Sequence, residues 1–257
     1  MKNLDQMNAK NIIGVFFDID DTFSSDGKIS WEAYRSIWQL KEAGKLVVPI
    51  TGRPAGWCDH IARMWPVDAV VGENGAFYFM IKNKRFIKKY TADPSQIEEY
   101  KKRLDAIEFE VLEAVPSAGV ASDQNYREFD LAIDFCEDVK RLSQDDIDKI
   151  VQIFDNHGLN TKVSSIHVNA WFGEYDKLTT AKKFALNEHG IDLNKDNAGF
   201  VFCGDSPNDE PMFSFFDNSV GVANVMDFKD KLKSLPKYIT PSRSGKGFVE
   251  LVNHLLK

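Results

Sequence analysis

The segment Ile12-Ile13-Gly14-Val15-Phe16-Phe17-Asp18-Ile19-Asp20-Asp21-Thr22 runs from a short apolar strand straight into an acidic turn. A run of β-branched and aromatic residues without polar alternation is the pattern of a strand buried on both faces, as in a parallel sheet covered by helices. The same pattern recurs over 46–50, 69–71, 200–203 and 219–222. Between the first two strands lies a helical pattern over 30–43, with Trp31, Tyr34, Ile37 and Trp38 at i, i+3, i+6 and i+7, Ser30 as N-cap and Gly44 just past the end. Strand, helix and strand make a βαβ unit. Further helices are expected from about 177 to 189, stopped by Gly190, and from about 247 to 256. The fold class is α/β, a Rossmann-like parallel-sheet core.

The middle third has a different texture. From 82 to 174 there is a lysine-rich, hairpin-like stretch, a polar helix beginning near Pro94, an alternating strand over 131–135 and a helix over 143–157 with Ser143 and Asp146 in capping-box-like positions. Strands over 159–163 and 166–172 follow. Alternation implies one wet face, so this is an α+β module with helices on one side and solvent or substrate on the other. Thr22 to Ser30 spans 30 − 22 = 8 positions, too few for an insert, whereas Thr51 to Lys177 spans 177 − 51 = 126. The expected division is a core of 1–82 with 175–257 and an inserted α+β domain of 83–174.

The chain has 257 residues, 32 basic and 39 acidic, for a net charge of −7. That acidic excess argues against a surface built to neutralise nucleic-acid phosphates. The early apolar run is far short of a membrane span, so a cytoplasmic protein without nucleic-acid or membrane partners is expected. Cys58, Cys136 and Cys203 lack any C-x-x-C spacing, which suggests neither a disulfide framework nor a zinc site.

Chemistry concentrates where strands end. Ligands of open α/β sheets gather beyond the carboxyl ends of the strands, so Asp18, Asp20 and Asp21 face a site rather than a core. Crowded carboxylates repel one another unless a cation offsets them, and magnesium, which takes hard oxygen ligands, is the economical choice. A calcium loop read from Asp18 fails, because its sixth position is Phe23 and its twelfth is Ile29. No P-loop occurs. The strand over 46–50 ends at Thr51-Gly52-Arg53, a hydroxyl followed by open backbone N–H groups suited to phosphate oxygens. That over 200–203 ends at Gly204-Asp205-Ser206-Pro207-Asn208-Asp209, two more carboxylates and an amide.

With these residues in this order the chain resembles the phosphatases of the haloacid dehalogenase superfamily: D-I-D-D-T at 18–22, the threonine of I-T-G-R at 51, a lysine at 177 and G-D-S-P-N-D at 204–209. The resemblance implies Asp18 as nucleophile and Asp20 as general acid and base. It implies Thr51 and Lys177 as phosphate holders, with Gly52 and Asn208 beside them. Magnesium would be held by Asp18, Asp205 and the backbone of Asp20, with Asp209 an outer carboxylate supporting the metal or Lys177. Lys177 lacks the glycine that often follows this lysine in the related sequences, and its setting also suits an exposed first-turn helix lysine. An insert after the third motif-bearing strand is the type II, subclass B cap of the Cof-like group and of sucrose-, trehalose- and mannosyl-type sugar phosphate phosphatases. Glu73-Asn74-Gly75-Ala76 is similar to that group's N-G-A turn, near the hinge into the cap.

For the substrate, Arg53, Asn74, His167 and Asn169 are candidates, with Ser164 and Ser165 beside them, and Trp57 and Trp171 could stack on a sugar face. Packing explains the aromatic residues and His167 equally well, and Arg53 suits either an anion clamp or an ion pair. The expected function is magnesium-dependent hydrolysis of a small phosphorylated metabolite, a sugar or polyol phosphate. A sugar phosphomutase would use the same site, and a phosphate-sensing module is the rival of another class. Asp20 speaks against sensing, since a second carboxylate two residues from the nucleophile serves proton transfer. The sequence leaves the oligomeric state open.

Overall fold

The computed structural model describes residues 1–164 and 166–257. The chain opens with β1 (Lys2–Asn3), β2 (Gly14–Phe17), α1 (Trp31–Glu42), β3 (Leu46–Pro49), α2 (Ala55–Met64) and β4 (Val70–Gly72). Its middle holds β5 (Phe77–Lys82), β6 (Arg85–Tyr90), α3 (Ile97–Ala114), β7 (Gly119–Val120), β8 (Asp130–Asp134), α4 (Gln144–Asn156), β9 (Asn160–Val163) and β10 (His167–Trp171). It closes with α5 (Lys177–His189), α6 (Leu193–Asp196), β11 (Phe200–Gly204), α7 (Glu210–Phe215), β12 (Asn218–Gly221), β13 (Tyr238–Ile239) and α8 (Ser244–Leu255).

Apolar strands need cover on both faces, and the six-stranded sheet has it. Its order is β1-β13-β12-β11-β2-β3, with every pair parallel. Val15 and Phe17 of β2 pack in one cluster with Ile37 and Leu40 of α1 and Phe248, Leu251 and Leu255 of α8. Phe16, between them, packs in the opposite cluster with Ala181 and Phe184 of α5 and Met212 of α7. Burying each of these phenylalanines contributes about 1.5–3 kcal/mol. β2 therefore lies inside the sheet between β11 and β3, and its last residues emerge between two neighbours that end in polar loops.

The apolar stripe of α1 differs from its sequence expectation. Ala33, Ser36, Ile37 and Leu40 are buried, while Trp31 and Trp38 are exposed. Spacing at i, i+3, i+4 and i+7 fits a 3.6-residue period better than i, i+3, i+6 and i+7. The last helix begins at Ser244 rather than near 247, because the Asn224 side chain accepts from the Ser244 N–H at 2.9 Å.

The lysine-rich hairpin is β5 with β6, and it pairs through β5 with β4 in a three-stranded antiparallel sheet. A separate sheet, β7-β8-β10-β9, is antiparallel. Leu131 and Ile133 of β8 and Val168 and Ala170 of β10 pack on Leu104, Ile107 and Val111 of α3 and Ile150 and Phe154 of α4. The alternate residues form the face expected to meet solvent or substrate. They are buried, Asp130, Asp134, His167, Asn169 and Trp171 all included, because that face turns toward the strand ends of the parallel sheet. Among the described residues no helix is long and apolar enough to cross a membrane.

Candidate active site

Asp18 follows β2 directly, its N–H donating to Cys203 O at 2.9 Å, so the parallel pairing carries one residue beyond the strand. The loop after β11 brings Asp205 and Asp209 to it. One carboxylate oxygen from each of Asp18, Asp205 and Asp209 lies within 4.8 Å of the others, and all three side chains are buried. Lys177, the first residue of α5, donates to Asp18 Oδ1 at 2.7 Å and to Asp209 Oδ1 at 2.8 Å. It is buried, which removes the reading of an exposed helix lysine.

The turn after β4 places that lysine. Gly75 has φ 113, and a Cβ there would stand 2.1 Å from Asp176 O, so only glycine lets the turn rest on the start of α5. Thr180 Oγ1 donates to Gly75 O at 2.5 Å, and Asp176 caps α5 by accepting from Thr179 N at 2.6 Å.

Burial pushes the Asp18 carboxyl up to about 8, against the opposing pull of Lys177, while Asp209 and Asp20 raise it further. Asp205 is likewise pushed well above its ordinary value by burial, then by Asp18 and Asp209. Burial works against the charge of Lys177, but Asp18 and Asp209 hold its pKa above the usual lysine range. Three carboxylates against one ammonium leave a negative excess in a dry place, which a hard divalent cation would offset. The donor set is all oxygen, and it fits magnesium. Thr22 Oγ1 donates to Asp205 Oδ1 at 3.1 Å and Asn224 Nδ2 to Oδ2 at 3.0 Å, which orients that carboxylate. Asp209 Oδ2 accepts from Asp205 N at 3.1 Å.

Asp20 is not among the clustered carboxylates. Its side chain turns to Arg53, which donates from Nη2 to Oδ1 at 2.9 Å and from Nε at 3.2 and 3.1 Å. Thr51 is fully buried after β3, its hydroxyl accepting from Arg53 N at 3.0 Å. A narrow cleft is lined by Asp18, Asp20, Gly52, Arg53, Asn74 and Asn208 from one side and by His167 and Asn169 from the other. Of the expected site residues, Asp18, Asp20, Gly52, Arg53, Asn74, His167, Asn169 and Asn208 line this cleft, while Lys177, Asp205 and Asp209 stand behind it around Asp18 and Thr51 is buried beside Gly52.

Other expectations change. Trp171 is buried and stacked on Tyr175, ring centroids 5.6 Å apart, so it offers no face to a sugar. Trp57 carries the Arg53 guanidinium 4.6 Å above its ring. The Ser164 hydroxyl donates to His167 O at 3.0 Å and so serves its own turn. Ser165 lies outside the described residues.

Three further residues shape the site without having been among the candidates. Arg127 is buried and donates to Asp130 at 2.9 Å, to Asp123 at 3.2 Å and to Gly52 O at 2.9 Å. Glu73 accepts from the N–H groups of Ala55, Glu128 and Phe129 at 2.6–2.9 Å, which ties the turn after β4 to the segment entering β8. Asn224 follows β12, and the strand-end rule that located Asp18 and Asp205 points to it as well.

The sequence model of the haloacid dehalogenase-like hydrolase family matches residues 15–161 and, overlapping them, 141–252. No curated protein matches the chain by sequence. A solved structure from Thermoplasma acidophilum has TM-score 0.75 at 19% identity, covering 95% of this chain and 98% of that one. A phosphatase of the haloalkanoate superfamily from Bacteroides thetaiotaomicron has TM-score 0.64 at 17% identity, covering 97% of each chain. The sucrose-phosphatase of Synechocystis, solved with sucrose and phosphate, has TM-score 0.65 at 13% identity, covering 95% of this chain and 98% of that one. At these identities the likeness is one of fold.

Proposed function

The chain belongs to the haloacid dehalogenase-like hydrolases, and on that premise we propose that it is a magnesium-dependent phosphomonoester hydrolase of a small sugar or polyol phosphate. The observation that carries this reading is the buried Asp18, Asp205 and Asp209 set with Lys177 bridging two of its members at the end of β2.

In this reading Asp18 attacks phosphorus. The bond to the leaving oxygen breaks, that oxygen takes a proton from Asp20, and an aspartyl-phosphate remains. Water then attacks the phosphorus, gives its proton to Asp20 and releases phosphate with Asp18 regenerated. Thr51, the N–H groups at Gly52, Lys177 and Asn208 hold the phosphoryl oxygens. Asp18, Asp205 and the backbone carbonyl of Asp20 would hold magnesium, with Asp209 fixing Lys177 beside it. When bound, magnesium supplies positive charge against the phosphoryl oxygens.

Residues 83–174 act as the cap. His167 and Asn169 face the leaving group from it, and Asn74 faces it from the core with a buried Nδ2 that has no partner among the described residues. The charges at the cleft support a neutral leaving group. Arg53 is matched by Asp20 and Arg127 by Asp130 and Asp123, so neither cation is available to a second anion. Amides, a histidine and carboxylates remain, groups that suit hydroxyls. The similarity of fold to a sucrose-phosphatase agrees with that class.

The test is release of p-nitrophenol from p-nitrophenyl phosphate by the purified protein with magnesium, with excess EDTA, and by Asp18→Asn. Release that needs magnesium and Asp18 is expected. Equal release in all three would refute the reading.

A further inference from the structure

One guanidinium occupies both carboxylate oxygens of Asp20. Arg53 Nη2 and Nε share Oδ1 at 2.9 and 3.2 Å, and Nε reaches Oδ2 at 3.1 Å. The same group faces two acids of the inserted module. Its Nη1 and Nη2 each lie 3.4 Å from Glu137 Oε1, and Nη1 lies 3.6 Å from Asp123 Oδ2. At 3.6 Å that contact is electrostatic and not a hydrogen bond. Asp123 Oδ2 is buried and has no hydrogen-bond partner among the described residues.

A buried carboxylate oxygen without a donor is costly. Here the missing donor is a short movement away. Glu137 is held to receive it: Asp134 accepts from the N–H groups of Cys136, Glu137 and Asp138 at 2.7–2.8 Å, and Glu137 Oε2 lies 2.9 Å from His167 Nε2. Arg53 is buried against the Trp57 ring, so it has no route to solvent that does not break that contact. Asp20 and Arg53 line the same cavity. A phosphate ester there meets a carboxylate whose lone pairs are already spoken for.

We propose that Arg53 is a positioning residue with two sets of partners, holding Asp20 in one and moving onto Asp123 and Glu137 in the other, where it leaves Asp20 free to face the leaving oxygen. The inference rests on the hydrolase reading and adds to it a gate on the general acid. The move gives up the pair with Asp20, keeps the contact Arg53 already makes with Glu137, and supplies Asp123 Oδ2 with a donor. Once released, Asp20 carries the proton that it gives to the leaving oxygen, and an ester that accepts from it there favours the second state over the first, which is the differential interaction a shift between two states requires.

The test uses leaving groups of different need. p-Nitrophenolate departs without much help from an acid, whereas an alkoxide requires a proton. The double variant Asp123→Asn with Glu137→Gln neutralises the receiving acids and keeps their shape. It is expected to lose about tenfold or more in kcat on the best alkyl ester of a sugar phosphate panel, while kcat on p-nitrophenyl phosphate changes by less than about twofold. Adding Arg53→Ala to that double variant should restore most of the alkyl ester kcat even as KM rises. Equal losses on both esters, or no restoration by Arg53→Ala, would overturn the inference, as would a wild type that turns over p-nitrophenyl phosphate but no alkyl ester. A folded wild type inert to every ester would overturn the hydrolase reading itself. Thermal unfolding checks the variants. Should the double variant fail to fold, Glu137→Gln alone, at a half-buried position, must show the same leaving-group-selective loss in smaller measure.

Discussion

Replacing Lys177 by Met removes the ammonium and keeps most of the apolar stem. In the native protein that ammonium is buried and donates at 2.7 Å to Asp18 and at 2.8 Å to Asp209. Its loss leaves two buried carboxylates without their shared cation. Breaking one buried pair by removing a partner costs about 3–5 kcal/mol. For a chain of this size each kcal/mol moves the melting temperature by about 2–4 °C, so a fall of roughly 6–20 °C is expected. The measurement is thermal unfolding of both proteins in excess EDTA, so that no divalent cation replaces the ammonium. The pH dependence has a definite sign. Lys177 is held above its ordinary value, so its contribution is complete at neutral pH and fades only in strongly alkaline solution. Asp18, raised to about 8, favours folding below its unfolded value of 3.8, and that advantage is lost as pH climbs through 8. Without Lys177 its loss continues to higher pH, so the deficit of Lys177→Met should widen between about pH 7 and pH 9. A shift below about 2 °C at both pH values would refute the account of a buried ammonium neutralising two carboxylates.

Gly75→Ala places a methyl group 2.1 Å from Asp176 O at a φ of 113, and should destabilise the protein by about 2 kcal/mol or more in urea unfolding while raising KM through displacement of Lys177. Glu73→Gln turns an amide NH₂ toward a backbone N–H among the three that Glu73 accepts from, at a cost of about 1–3 kcal/mol. Burial raises Glu73 to about 8 from 4.5, so the wild type loses stability as pH rises toward 8, and the gap between the two proteins should narrow over that interval in denaturant titrations. Asn224→Ala withdraws the donor at 3.0 Å from Asp205 Oδ2, and the magnesium concentration for half-maximal hydrolysis should rise about 10-fold or more.

What the amino-acid order determined by itself lies at short range. Unalternating runs predicted the strands that became β2, β3, β4, β11 and β12, to within a residue or two, because burial on both faces leaves its mark on every residue of a strand. Gly190 marked the end of the helix expected from about 177 to 189, and α5 runs Lys177–His189 with Gly190 at φ 69 past its end. Since carboxyl ends of parallel strands gather at one edge, Asp18, Thr51 and Asp205 could be assigned to one site before any distance was known. Residues whose place depends on docking were not legible in this way. Arg53 meets Asp20 across 33 positions and Glu137 across 84, and no local pattern distinguishes that guanidinium from one in solvent. Asp130, His167 and Asn169 stand on a strand face that alternation marks only as polar; the apposition of that face to the core made it buried and made His167 and Asn169 part of the cleft. Arg127, Asp123 and Glu73 share that origin. Periodicity reports which side of an element is apolar, whereas the partner of a buried charge is chosen by the surface that closes over it, and that surface exists only in the folded chain.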